Sequence, residues 1–190
     1  MSEVALHVEV AGDPHRLRMN RTGLWFFIAS EAFLFSAAIA ARFVVAGVQR
    51  PKDLNQALGL AISIVLVLSS VTAYSAESSI AHGDRRGMVR NLTLTILLGL
   101  VFIVGVVVEW SEGLRHFPPG TIFGTAFFTL IGMHAFHVLT GIIALAFVLR
   151  LGRKGSFGPD DYWPVEGAVK YWHFVDVAWV FIFPTLYLVS

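Results

Sequence analysis

Five apolar runs, each close to the roughly 20 residues that a helix needs to cross bilayer hydrocarbon, limit what this chain can fold into. They extend from about Gly23 to Val45, Ala57 to Ile80, Leu92 to Trp110, Thr121 to Leu149 and Ala168 to Val189. The fourth is long enough to tilt. The spacing predicts an all-α fold, a polytopic membrane bundle of five transmembrane helices. Residues 1–22 form a polar N-terminal segment and 23–190 one transmembrane domain. Composition agrees: 56% of residues are hydrophobic and 14% charged, against about 25% charged in soluble domains. A net charge of +1 argues for no nucleic acid partner. With no cysteine in the chain, disulfides, iron–sulfur clusters and thiolate catalysis are excluded. No signal peptide is expected, because residues 1–22 lack an apolar core.

The connections carry turn chemistry. Pro51, Asp53 and Gln56 read as a turn and capping box before the second run, and Asn91 as a cap for the third. Gly83-Asp84-Arg85-Arg86-Gly87 reads as a turn, with docking of a partner or anionic lipid as its functional alternative. Pro118-Pro119-Gly120 breaks the chain before the fourth run, and the linker Gly152 to Glu166 is the longest polar connection. Ten Lys and Arg residues would lie on one side of the membrane (Arg16, Arg18, Arg21, Arg85, Arg86, Arg90, Arg150, Arg153, Lys154, Lys170). Four would lie on the other (Arg42, Arg50, Lys52, Arg115). The excess predicts a cytoplasmic N-terminus and an outside C-terminus. Trp110, Trp163 and Trp172 are expected at the interfaces, as is Glu77 at the inner end of its run. Glu109, Glu112 and Arg115 are expected to be solvated at the outer end of the third.

Ionisable side chains within the runs are costly and need neighbours. Glu31 lies eight residues into the first. It reads as a proton relay, ion site or partner contact, or as a protonated carboxyl hydrogen-bonded inside the bundle. His134 and His137 are spaced to share a helix face and could donate to one metal, but they cannot be trans axial ligands of one haem. Their alternative is a pair of buried imidazoles bonded to carboxylates or carbonyls. His173 and Asp176 share a face in the last run, as base and orienter or as a structural pair.

Four stretches then carry a resemblance. Tyr171-Trp172-His173-Phe174-Val175-Asp176 resembles the closing helix of subunit III of haem–copper oxidases. Ser30-Glu31 resembles that family's membrane-buried glutamate, and Gly83-Asp84-Arg85-Arg86 with Met88 resembles its interhelical loop. Phe127-Phe128-Thr129 through Gly132, His134, His137 and Gly141 resembles its glycine–histidine helix. The order is the family's and spans residues about 22–190, as the five-helix form. Two departures stand out: Lys170 where an aromatic residue is common, and Glu77 where histidine is frequent.

The resemblance implies a non-redox accessory subunit of a respiratory terminal oxidase, which reduces oxygen to water with proton pumping. Haem and copper would lie in partner subunits I and II, with no catalytic residue, cofactor or metal in this chain and with phospholipid bound. It would stabilise subunit I in the plasma (cell inner) membrane and support proton uptake. Glu31, His134, His137, His173 and Asp176 would form a polar network. Arg42, Glu77, Arg85, Arg86, Lys170 and Trp172 would meet lipid or the interface. Rival readings are the related subunit of a quinol oxidase or nitric oxide reductase, and a membrane enzyme using His134, His137 and a carboxylate on a metal. A small transporter is disfavoured, since broken helices and an inverted repeat are missing.

Overall fold

A computed structural model of the chain describes residues 14–48, 51 and 54–189. It is all-helical: α1 (Pro14–Ala46), α2 (Gln56–Ala81), α3 (Arg85–His116), α4 (Ile122–Lys154) and α5 (Trp163–Phe183). One wide turn of π-helix, Pro184–Leu188, extends α5. The first four helices are long and apolar enough to cross a membrane. The shorter α5 carries Glu166, Lys170 and Asp176 within its 21 residues.

The helices overrun the apolar runs that announce them. At 1.5 Å per residue, the 33 residues of α1 and of α4 reach about 50 Å, beyond the roughly 30 Å of hydrocarbon. Residues 14–22, expected as a polar segment, are the opening turns of α1. The linker shrinks to Gly155–Tyr162, pinched by a backbone pairing of Gly158 with Asp161. Asn91 caps nothing. Asp84 caps α3, its carboxylate accepting from Gly87 N at 2.9 Å, because the helix begins a full turn or more before its apolar residues do. Asn55 caps α2, accepting from Leu58 N at 3.0 Å, and Gln56 is the first helical residue. Asp53, Arg50 and Lys52 lie outside the described residues. Thr121 caps α4 after the Pro118-Pro119 break. Gly83 (φ 78°) and Gly155 (φ 84°) take the left-handed backbone that ends α2 and α4.

Packing follows from where small and apolar residues recur. In α2, Gly59, Ile62, Leu66, Ser69, Ala73, Ala76 and Ile80 are buried, at alternating spacings of three and four that make one continuous seam. The seam faces α3 and α5. With α3 on α4 and α4 on α5, it closes a four-helix bundle. α1 lies outside, against α4 and α5. It buries only Ile28, Phe35 and Arg42, one residue every two turns.

Trp172 is the central residue of the bundle and corrects the expectation that it anchors at the interface. Its side chain is fully buried, and its Nε1–H donates to Ser69 Oγ at 3.0 Å. Two glycines make room for the ring. A Cβ on Gly99 would stand 2.7 Å from Trp172 Cη2, and one on Gly141 2.9 Å from Cε3. Arg42 is likewise buried rather than lipid-facing. Its guanidinium donates to the Gly47 carbonyl and lies over the rings of Phe43 and Phe123. The cation thus meets a carbonyl and two aromatic faces within the protein.

Candidate functional site

The polar side chains fall into three levels along the bundle. At the α5 N-terminal end, Arg21 of α1 grips Glu166 through two bonds, Nε to Oε1 at 3.0 Å and Nη2 to Oε2 at 2.9 Å. Lys170 donates to the same carboxylate and lies 3.9 Å from Glu77 of α2. Burial pushes the Glu166 carboxyl upward, but its bonds to Arg21 and Lys170 hold it below the usual carboxylate range. The clasp joins α1, α2 and α5. It also accounts for the two departures of the sequence from its resemblance, because Glu77 and Lys170 stand opposite each other as a pair of opposite charges. Arg85, expected at the lipid or partner surface, is exposed and donates to the Gly152 carbonyl at 2.8 Å and to that of Arg153. It covers orphan carbonyls at the C-terminus of α4. Arg86 beside it is exposed.

At mid-depth, Glu31 Oε2 lies 3.0 Å from His137 Nε2 across the α1–α4 contact. The other imidazole nitrogen fixes the chemistry. Nδ1 is 2.7 Å from the Met133 carbonyl, which can only accept, so Nδ1 carries a proton. The Nε2–Glu31 bond therefore needs a second proton, held by either the carboxyl or the ring. In both forms the pair is neutral overall, which lets it lie within hydrocarbon depth without a net buried charge.

His134 does not join this pair. Its ring is fully buried among Phe102 (5.5 Å between centroids), Trp179 (4.8 Å) and Phe35 (6.3 Å), and neither nitrogen meets a hydrogen-bond partner. His173 and Asp176 make a third site. The nitrogen–oxygen distance between them is 4.0 Å, too long for a hydrogen bond. His173 Nδ1 is instead 2.7 Å from Ser70 Oγ on α2. Neither oxygen of the Asp176 carboxylate meets a hydrogen-bond partner. The five mid-depth residues are thus three separate sites among the described residues, with no three His, Asp or Glu side chains gathered as a metal would require.

At the opposite end, Tyr187 of the π-turn donates its hydroxyl to Glu109 of α3, and its carbonyl accepts from Gln56. Glu109 is 3% exposed, which overturns its expected solvation: the turn of α5 folds the phenol over it. Glu112 fits the expectation better, being exposed and accepting from Asn55 at 3.2 Å.

The hydroxyl partners escaped sequence reading, although a signal was present. Gln56, Ser63, Ser70 and Glu77 recur every seven residues on α2. Each meets α5: Gln56 at Tyr187, Ser63 at Trp179 Nε1 (2.7 Å), Ser70 at His173 and Glu77 at Lys170. A polar stripe of that period beside an apolar seam marks a hydrogen-bonded helix contact, the form polar contacts take in membranes.

The profile of the family "Cytochrome c oxidase subunit III" matches residues 15–190. Cytochrome c oxidase subunit 3 of Corynebacterium diphtheriae is 34% identical over 186 residues, covering 93% of this chain and 91% of that protein. Quinol oxidase subunit 3 of Bacillus spizizenii is 33% identical over 183 residues, 91% of this chain and 88% of that one. Cytochrome c oxidase subunit 3 of Xenopus laevis is 33% identical over 179 residues, 88% of this chain and 68% of the frog protein.

Proposed function

The chain belongs to the cytochrome c oxidase subunit III family of haem–copper oxidases, and on that premise we propose that it is the non-redox accessory subunit of a respiratory terminal oxidase. It packs beside the partner subunits I and II that hold haem and copper, stabilises subunit I, binds phospholipid and supports proton uptake. All five helices cross the plasma membrane, α5 included. The N-terminus is cytoplasmic, as the ten-to-four distribution of Lys and Arg favours, and the C-terminus is outside.

The observation that carries this reading is how the imidazoles are surrounded. Both nitrogens of His137 are engaged, one by a carbonyl and one by Glu31. Aromatic rings enclose His134. His137 thus fastens α1 to α4 with no lone pair left over, and the rings around His134 are those of Phe35, Phe102 and Trp179, none of them a metal ligand. The chain, purified from its native membrane, should bring with it the subunit holding the binuclear centre; its recovery without that subunit would refute the reading.

Relatives named for cytochrome c and for quinol oxidases match with nearly equal identity, so identity does not separate the two electron donors. Turnover of the purified complex with reduced cytochrome c or with a quinol identifies it.

A further inference from the structure

A groove of about 340 Å³ runs between α1 and α5, lined by Trp25, Ile28, Lys170, His173, Phe174 and Val177. Most of its lining is apolar, as a lipid-facing surface would be. His173 breaks that pattern. Its side chain is 34% exposed, and it sits in the middle portion of a helix whose neighbours Val177, Val180 and Phe181 are all exposed. Nδ1 is occupied by Ser70, while Nε2 has no hydrogen-bond partner among the described residues. An imidazole in this position presents a polar nitrogen where acyl chains have nothing to return. At one end of the groove Lys170 is held to Glu166 and Glu77, so its ammonium is already paired within the protein.

We infer that this groove seats one transmembrane helix of a partner subunit, an apolar helix with a single hydrogen-bonding side chain at mid-depth facing His173 Nε2. Chemical complementarity selects this occupant. A lipid tail fills the apolar walls but leaves the imidazole unanswered. A helix bearing one polar residue satisfies both, as interhelical contacts in membranes do. The α1 wall has the right character, with Trp25 58% exposed above the buried Ile28. The inference rests on the accessory-subunit reading above and names the surface through which the partner is held.

The chain lacks cysteine, and Val177 is exposed, so the groove can be probed without disturbing the bundle. A photoactivatable diazirine analogue of leucine is placed at Val177, and in a second preparation at Val104 on the exposed side of α3. Irradiation of the purified complex should give adducts to a transmembrane peptide of a partner from position 177 and few from 104. Adducts to lipid alone at 177, or partner adducts only at 104, would overturn the groove assignment while leaving the accessory-subunit reading standing. If the unmodified chain fails to bring down an oxidase core, that reading falls, and this one with it. Independently, His173→Leu should weaken retention of the core by about 3- to 20-fold, the range of one interhelical hydrogen bond. His173→Gln, which offers an amide to either neighbour, should retain most of it. Equal retention by wild type and His173→Leu would count against the contact.

Discussion

Replacing Glu31 separates fastening from proton transfer. In Glu31→Gln the carboxamide N–H can donate to His137 Nε2, so the 3.0 Å contact survives while the group can no longer exchange a proton. In Glu31→Leu the bond is lost and a nearly buried imidazole, 8% exposed, is left with one nitrogen unanswered. An interhelical hydrogen bond in a membrane contributes about 0.6–1.7 kcal/mol. Stranding its partner brings the total to roughly 1–3 kcal/mol. With tenfold per 1.36 kcal/mol, the hold of α1 on α4 weakens about 5- to 150-fold. α1 has little else to compensate: Ile28, Phe35 and Arg42 are its buried residues, and Arg21 to Glu166 is its clasp. The assay is detergent titration of the purified oxidase, reading subunit retained per haem alongside protons pumped per electron. Glu31→Gln should retain the subunit and pump normally, and Glu31→Leu should lose it at lower detergent. A complex in which Glu31→Gln stops pumping with assembly intact would show that the carboxyl relays protons and would refute the fastening argument.

Three further outcomes follow from the same geometry. Gly141→Leu forces a side chain into the Trp172 ring, where even a Cβ would stand 2.9 Å from Cε3; overpacking of this kind costs about 1–3 kcal/mol or more, read as a lower melting midpoint and a shift in tryptophan fluorescence. Acidification should release the Arg21–Glu166 clasp. Because the folded carboxyl is held below its usual range, its contribution is complete above the unfolded value near pH ~4.3 and is lost as pH falls below that through the folded value. Glu166→Gln should remove this acid step from a pH titration of subunit retention, and an unchanged step would place its origin elsewhere. Arg85→Ala uncovers the Gly152 and Arg153 carbonyls and should raise hydrogen exchange in the last turn of α4, at a cost of about 1 kcal/mol, with no change in α2.

The helices were legible because apolar length is a one-dimensional signal. Their ends were not, since arginines at Arg85, Arg86 and Arg90 hide the first turns of α3 from any hydrophobicity argument although they are good helix formers. The mid-depth charges declared themselves by their rarity, but spacing along one helix misassigned partners. His134 and His137 share a face by spacing, yet Glu31 of α1 reaches only His137, and His134 meets aromatic rings. His173 and Asp176 look like a dyad until Ser70 of α2 intervenes. The position of Trp172 misleads for a related reason: an aromatic residue about one turn into the apolar run that starts at Ala168 suggests an interfacial belt, and only the paired openings at Gly99 and Gly141, on other helices, make it a core residue. Family resemblance located the functional class; tertiary contacts alone explain why Glu77 and Lys170 occur together.

The central claim is that this chain fastens helices and carries no electrons. The direct test is to dissociate the purified oxidase in strong detergent, separate this subunit from the core, and measure haem absorbance, iron and copper in each fraction. All chromophore and metal should remain with the core, leaving this subunit spectrally silent above the aromatic bands. A Soret band, or iron or copper in stoichiometric amount, travelling with the separated chain would contradict the account.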